Sequence, residues 1–175
     1  MTPLEAYAKY ESEYSDLAVH LPFLRQNAHG RVLEIGVRDG ISTAALLVGV
    51  AKHGGHVYSV DIEDCSKLYS SDPRWTFIQA DSGRDHARIF ERMGKEDNNF
   101  RIDLLFLDGD HSYDGCMSDL TTFGPWANII AVHDTHSAYS GVWESVISYY
   151  RSAFNGPFRR AEFTTASHGL GVLFR

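Results

Sequence analysis

The sequence predicts an α/β fold: a doubly wound, mostly parallel seven-stranded sheet with helices on both faces and a C-terminal antiparallel hairpin. Three observations carry that prediction. Short apolar runs alternate with helical periodicity through most of the chain, the pattern of successive βα units. The run Val32-Leu33-Glu34-Ile35-Gly36-Val37-Arg38-Asp39-Gly40 joins an apolar strand to a glycine loop that opens a helix. The tail then abandons the alternation for two short strands linked through Ala166-Ser167-His168-Gly169, a hairpin signal.

In chain order, residues 3–18 read as an amphipathic helix. Strands are expected at 31–35, 56–61, 75–80, 102–107 and 128–133. Helices fall between them at 41–52, 82–93 and 114–123, and another occupies 141–153. The hairpin strands are expected at 158–165 and 169–174, and residues 93–99 form a polar loop. There is no internal repeat, linker or low-complexity stretch.

With 175 residues and 43% hydrophobic content, one domain over 1–175 can bury a full core. No stretch approaches the roughly 18 apolar residues of a membrane span. The start, Met1-Thr2-Pro3-Leu4-Glu5, lacks the basic and apolar regions of a signal peptide. Two cysteines, Cys65 and Cys116, make neither a disulfide framework nor a zinc set, so a reducing cytoplasm is the expected location. The net charge of −7 speaks against nucleic acid and a membrane as partners, because phosphate surfaces are met by clustered Lys and Arg. Arg159-Arg160 is the one basic pair, and a solvated strand end accounts for it.

The glycine loop marks a ligand site. A strand, a tight turn and a helix N-terminus leave backbone N–H groups free at the carboxyl end of a sheet, where open α/β folds bind ligands. A dinucleotide fingerprint needs glycine at its first, third and sixth positions, and here those are Gly36, Arg38 and Ile41. NAD is therefore disfavoured. A P-loop fails as well, since no Gly-Lys-Ser/Thr follows the turn. The remaining pattern, Glu-x-Gly-x-x-x-Gly, places an acid in the strand end and suits a ligand with positive charge and no phosphate.

On these residues the chain resembles the class I S-adenosylmethionine-dependent methyltransferases, whose Rossmann-like fold carries this acid and these two glycines in its first motif. Glu34, Gly36 and Gly40 match it. The second strand ends Val57-Tyr58-Ser59-Val60-Asp61, with Asp61 near the roughly 20-residue spacing at which an acid receives ribose hydroxyls. Phe77-Ile78-Gln79-Ala80-Asp81-Ser82 resembles the adenine-contacting third motif. The resemblance implies cofactor contacts from Glu34, Gly36, Val37, Arg38, Gly40, Ser42, Asp61, Ile62, Asp81 and Ser82, joined by Asp108 and His111. Singly, each has a plainer reading: Asp61 a solvated strand-end acid, Asp81 a helix cap. Together, three motifs on three strand ends at one sheet edge favour the cofactor.

The chemistry is expected after the fourth and fifth strands. The fourth ends in Asp108-Gly109-Asp110-His111-Ser112-Tyr113 and the fifth in His133-Asp134-Thr135-His136. Adjacent parallel strands lie about 4.8 Å apart, so Asp108 and Asp134 are able to share one cation. Carboxylates suit Mg²⁺, whereas an imidazole in the shell favours Mn²⁺, Fe²⁺ or Zn²⁺. The metal-free alternative is a hydrogen-bonded loop in which Asp108 caps the next helix and His111 stacks on the sheet edge. His136, His20, His29, His53, His56, His86 and His168 have no motif context, and Tyr113 and Trp143 suit either an acceptor pocket or the core.

The tract Phe106 to Tyr113 resembles a branch of small-molecule and sugar O-methyltransferases. That resemblance implies that Asp108 and Asp134 bind a divalent metal, Mg²⁺ or Mn²⁺, and that Asp110 is the general base, with Asp108 and Asp110 as the catalytic pair. His133 departs from it, standing where some relatives have an acid; as a third ligand it leaves the identity of the metal, and its presence, open. The activity implied is methyl transfer to a hydroxyl of a small molecule or sugar. The Asn/Asp-Pro-Pro-aromatic tract of nucleic-acid amino-methyltransferases is absent. The alternative is a module that binds S-adenosylmethionine without turnover or supports a catalytic partner; a hydroxylase on the same scaffold is a third reading, told apart by dependence on oxygen. The short chain leaves little for an acceptor domain, so a second subunit is a candidate to complete the pocket.

Overall fold

The computed structural model describes residues 1–13, 15–95, 99–137, 141–152 and 158–175. Seven strands form one sheet: β1 (Gly30–Ile35), β2 (Gly55–Asp61), β3 (Trp75–Gln79), β4 (Ile102–Leu107), β5 (Ala127–His133), β6 (Arg160–Thr164) and β7 (Leu170–Phe174). Their order is β3-β2-β1-β4-β5-β7-β6, with β1 to β5 mutually parallel and β7 antiparallel to both neighbours. The chain runs outward from β1 to β3, then returns across it to β4. That reversal between β1 and β4 is the switch point where open α/β sheets bind ligands.

Helices cover both faces. Of the six among the described residues, α1 (Pro3–Ser12), α2 (Leu21–Asn27) and α3 (Ile41–His53) pack on one face through Leu24, Leu46, Leu47, Leu104 and Phe106. On the other, α4 (His86–Arg92), α5 (Tyr113–Phe123) and α6 (Val142–Ser152) close over Leu33, Ile89, Leu105, Leu120 and Val146. Alternate residues of β1 serve opposite cores, Val32 one and Leu33 the other, as the pleat dictates. None of the helices among the described residues is long and apolar enough to cross a membrane.

Three expectations need correction. The first helix ends at Ser12 rather than 18: Thr2 and Glu5 form a capping box at its start, and Glu13 is already extended. A 3₁₀ turn at Ala18–His20 leads into α2, which the sequence reading passed over although Pro22 in its first turn is a helix-start signal. The helix expected at 82–93 begins at His86, because Asp81 draws residues 82–84 into a turn through the N–H groups of Gly83 and Arg84. The remaining boundaries move by one or two residues; the last residue expected in α6, 153, and part of the 93–99 loop lie outside the described residues.

Candidate cofactor and metal site

The carboxyl ends of the parallel strands open into a cavity of about 700 Å³, within the size range of cofactor and small-molecule sites. Its floor is the loop from β1 to α3. Gly36 adopts φ 91°, and a Cβ there would sit 2.2 Å from the Asp108 carbonyl oxygen, so glycine lets the β1 loop lie against the β4 loop. Val37 and Arg38 then turn their N–H groups onto Asp61 Oδ2 at 2.7 and 3.0 Å, while Asp61 Oδ1 accepts from Glu63 N at 2.9 Å. A carboxylate has about four acceptor positions, so lone pairs remain for a diol.

Ile62 and Ser42 line the same cavity, and Asp81 and Ser82 line its far side. Asp81 is held by Gly83 N at 3.0 Å and by the exposed Arg84 at 3.3 Å. Beneath Ser82 lies Asp119, a buried α5 acid that the sequence reading missed; burial pushes its carboxyl up to about 6 although Ser82 hydrogen-bonds it.

Two predicted cofactor residues are not brought to the cavity. Glu34 is fully buried beneath it, accepting from Ser42 Oγ at 2.6 Å, Thr43 Oγ1 at 2.8 Å and Ser59 Oγ at 2.6 Å. It ties β1 to β2 and α3, and burial lifts its carboxyl to about 7 against the pull of the three hydroxyls. An acid in the strand end need not face the ligand when the following helix offers it hydroxyls. Gly40, at φ 75°, turns away towards Leu68 and Tyr69, whose hydroxyl donates to the Gly40 carbonyl at 3.0 Å.

The reactive groups gather on the β4 and β5 ends, where Leu107 and Val132 are register partners. Successive strand residues face opposite ways, yet donor atoms of His133 and Asp134 both lie within 4.8 Å of one on Asp108. The left-handed backbone at Asp134, φ 61°, breaks the alternation. His133 Nδ1 lies 3.1 Å from Asp108 Oδ1 and 3.8 Å from Asp134 Oδ2. His111 stands between the carboxylates, its Nε2 3.4 Å from Asp108 Oδ1 and its Nδ1 3.0 Å from Asp134 Oδ2. Asp110 is exposed at the rim, accepting from Ser112 N at 2.8 Å and lying over Gly115.

Electrostatics follow from this packing. Burial alone would raise Asp108, but the imidazoles of His111 and His133 hold its carboxyl below the ordinary range. His133 is raised despite burial because Asp108 and Asp134 face it, and His111 is raised by its hydrogen bond to Asp108.

Four further residues reach the site that no motif marked. Asp16 and Leu17 line the cavity from the segment before α2. His168, on the β6–β7 loop, places Nδ1 3.3 Å from Asp134 Oδ1. His20 anchors its Nε2 on the Ala166 carbonyl at 3.1 Å and meets the His133 ring edge to face at 5.5 Å. Tyr113 and Trp143 are neither core nor cavity lining; Trp143 packs on Phe163 at 5.0 Å.

The donor set is of a kind that could hold a divalent cation. One donor atom from each of Asp108, His133 and Asp134 lies within 4.8 Å of the others. Ligands about 2.1 Å from one ion are about 3.0–3.4 Å apart at octahedral or tetrahedral angles; the Asp108–His133 separation of 3.1 Å falls in that range and the His133–Asp134 separation of 3.8 Å is wider.

The sheet order and the cavity define a class I methyltransferase fold. Residues 33–135 match the family described as Methyltransferase domain, and the chain belongs to that family. No curated protein matches it. Among solved structures, MycE methyltransferase from the mycinamycin biosynthetic pathway, in complex with Mg, SAH and mycinamycin VI, has a TM-score of 0.72 at 19% identity over 99% of this chain. This chain spans only 54% of MycE. CalS11, a TDP-rhamnose 3'-O-methyltransferase of calicheamicin biosynthesis, gives 0.58 at 14% identity, covering 89% of this chain and 76% of that one. A Clostridium thermocellum protein assigned as an rRNA methylase gives 0.65 at 16%, covering 93% and 98%. Such likenesses establish the fold and leave the acceptor open.

Proposed function

We propose that this chain transfers the methyl group of S-adenosylmethionine to a hydroxyl of a small molecule or sugar. The observation that supports it is the joining, in one cavity, of the Asp61-tied glycine loop with the Asp108, Asp110, His111, His133 and Asp134 cluster. The loop and Asp61 take the ribose, Asp81 and Ser82 the adenine edge, and the sulfonium faces the β4 end. The net charge of −7 favours a small acceptor over nucleic acid.

The reaction is an in-line displacement: the acceptor oxygen bonds to the methyl carbon, the C–S bond breaks and its electron pair stays on sulfur. The work left to the protein is alignment and removal of the hydroxyl proton. Asp110, exposed at the rim and anchored through Ser112 N, takes that proton onto its carboxylate. A divalent cation held by Asp108, His133 and Asp134 would supply positive charge that acidifies the hydroxyl. His111 is a second candidate base, because Asp134 orients its Nδ1 at 3.0 Å and its ring is 43% exposed.

The test is a screen of sugars, glycosides and catechols with methyl-labelled S-adenosylmethionine, beside calorimetry with S-adenosylmethionine, SAH and NAD. Cofactor binding with label appearing as an O-methyl product is expected. Tight NAD binding without S-adenosylmethionine binding would overturn the reading; cofactor binding without transfer to any acceptor would favour the non-catalytic module, which the chain's coverage of about half of MycE keeps in view.

A further inference from the structure

We infer that His133 is a direct metal ligand through Nδ1, so that this centre is a mixed imidazole–carboxylate site selecting Mn²⁺, Fe²⁺ or Zn²⁺ over Mg²⁺. The inference rests on the proposed cation site but not on methyl transfer.

The His133 ring is fixed. It stands at the end of β5 with 1% of its side chain exposed, against the edge-to-face ring of His20 at 5.5 Å. Among the described residues its buried Nε2 has no hydrogen-bond partner. Leaving a buried polar atom unpaired is destabilising, so an imidazole here is a poor choice for packing alone. The other nitrogen is the productive one: Nδ1 points at Asp108 Oδ1 and towards Asp134 Oδ2.

The carboxylate beside it is aimed by its surroundings. The left-handed backbone at Asp134 turns its side chain to the same side as His133, and His168 Nδ1 engages the far oxygen, Oδ1, at 3.3 Å. Oδ2 lies on the side of His133, 3.8 Å from its Nδ1, and is met by His111 Nδ1 at 3.0 Å, so the carboxylate is oriented by imidazoles on both oxygens, as outer-shell partners orient metal ligands. His168 is thus a positioning residue, brought by the β6–β7 loop, which is clasped to the N-terminal segment through His20 and Ala166.

Metal choice follows from the donors. Mg²⁺ prefers oxygen ligands in a near-ideal octahedron and gives up water reluctantly, whereas imidazole suits Zn²⁺ and Fe²⁺ and is tolerated by Mn²⁺. An all-oxygen version of this triad would lean to Mg²⁺; replacing one carboxylate by a neutral imidazole also removes a negative charge that Mg²⁺ needs.

The experiment uses the chelator-treated full chain and Mn²⁺ as the probe, followed by electron paramagnetic resonance. Wild type is expected to quench the free-Mn²⁺ signal, resist displacement by Mg²⁺, and show ¹⁴N modulation of the Mn²⁺ spin echo. That modulation should vanish in His133→Gln and persist in His111→Gln and His168→Gln. In His133→Asp, a second variant that keeps a ligand at the position, the preference for Mn²⁺ over Mg²⁺ should fall on the order of tenfold or more. Failure to bind Mn²⁺, ¹⁴N modulation surviving in His133→Gln, or an unchanged ratio in His133→Asp each overturns the inference. Any of these beside intact label transfer would spare the methyltransferase reading; nitrogen-ligated Mn²⁺ without transfer would do the reverse.

Discussion

Asp110 and His111 are neighbours on one loop with different surroundings, and that difference assigns their roles. Asp110 is bound by a single backbone amide at the rim, whereas His111 is held between two carboxylates. Asp110→Asn is expected to lower kcat by roughly 10² to 10⁴ while calorimetry finds cofactor and Mn²⁺ affinity kept. His111→Gln should act mainly on KM and binding, and the opposite split would move the base to His111. Glu34 is read differently, as a buried carboxyl whose proton is part of the fold. Burial lifts it from 4.5 to about 7. Below the lower value both states hold the proton; between the two only the folded chain does; above the upper neither does. Its contribution therefore falls as pH rises from 4.5 to about 7, by about 3 kcal/mol. Glu34→Gln should flatten that part of the stability–pH curve in urea melts at pH 5 and 8. Equal slopes in both proteins would show that Glu34 is ionised in its site.

At the scale of elements, the β1–α3 loop holds two glycines whose positions in the motif look alike and whose duties differ. Gly36 meets the β4 loop, and a Cβ there would stand 2.2 Å from backbone, which cannot swing aside. At Gly40 a Cβ would stand 2.9 Å from the Tyr69 ring, and the residue lines no part of the cavity. Both have positive φ, which costs an L-residue roughly 1–2 kcal/mol. Gly36→Ala is therefore expected to lose cofactor and Mn²⁺ binding together, because it displaces Asp108. Gly40→Ala should lower the melting temperature while leaving cofactor affinity within a few-fold, and calorimetry beside thermal melts separates the two. The β6–β7 hairpin and the segment before α2 act as a second pair: neither carries a motif, yet His168, Asp16 and Leu17 reach the site from them.

For the whole molecule, the cavity crosses every parallel strand end from β3 to β5, so occupancy joins elements that unfolding separates. A ligand binding only the folded state stabilises it by about 2.7 kcal/mol at one hundred times its Kd. S-adenosylmethionine and SAH should raise the melting temperature with that dependence on concentration, and NAD should leave it unchanged. The acidic surface carries a second expectation. With a net charge of −7, the chain should not retard duplex or hairpin RNA at low salt, where counterion release favours binding most. Retardation that weakened steeply with salt would reopen a nucleic-acid acceptor.

The order of the strands and of every helix but α2, the parallel sheet, the hairpin and the placing of Asp61, Asp81, Asp108, Asp110 and Asp134 at one edge were determined by local sequence. Hydrophobic period distinguishes strand from helix, and βα connectivity sends the carboxyl ends of β1 to β5 to the same side. What the sequence did not determine is which way individual side chains turn once the edge is built. Glu34 faces hydroxyls from β2 and α3, because its three partners come from two elements that become neighbours of β1 only in the folded chain. Asp119 became a buried acid when α5 packed against the loop after β3, and His20, Asp16 and His168 entered the site when both ends of the chain met over β5. The convergence of His133 and Asp134 was also decided there: adjacent strand residues point apart, and tertiary packing maintains the left-handed backbone that brings them together.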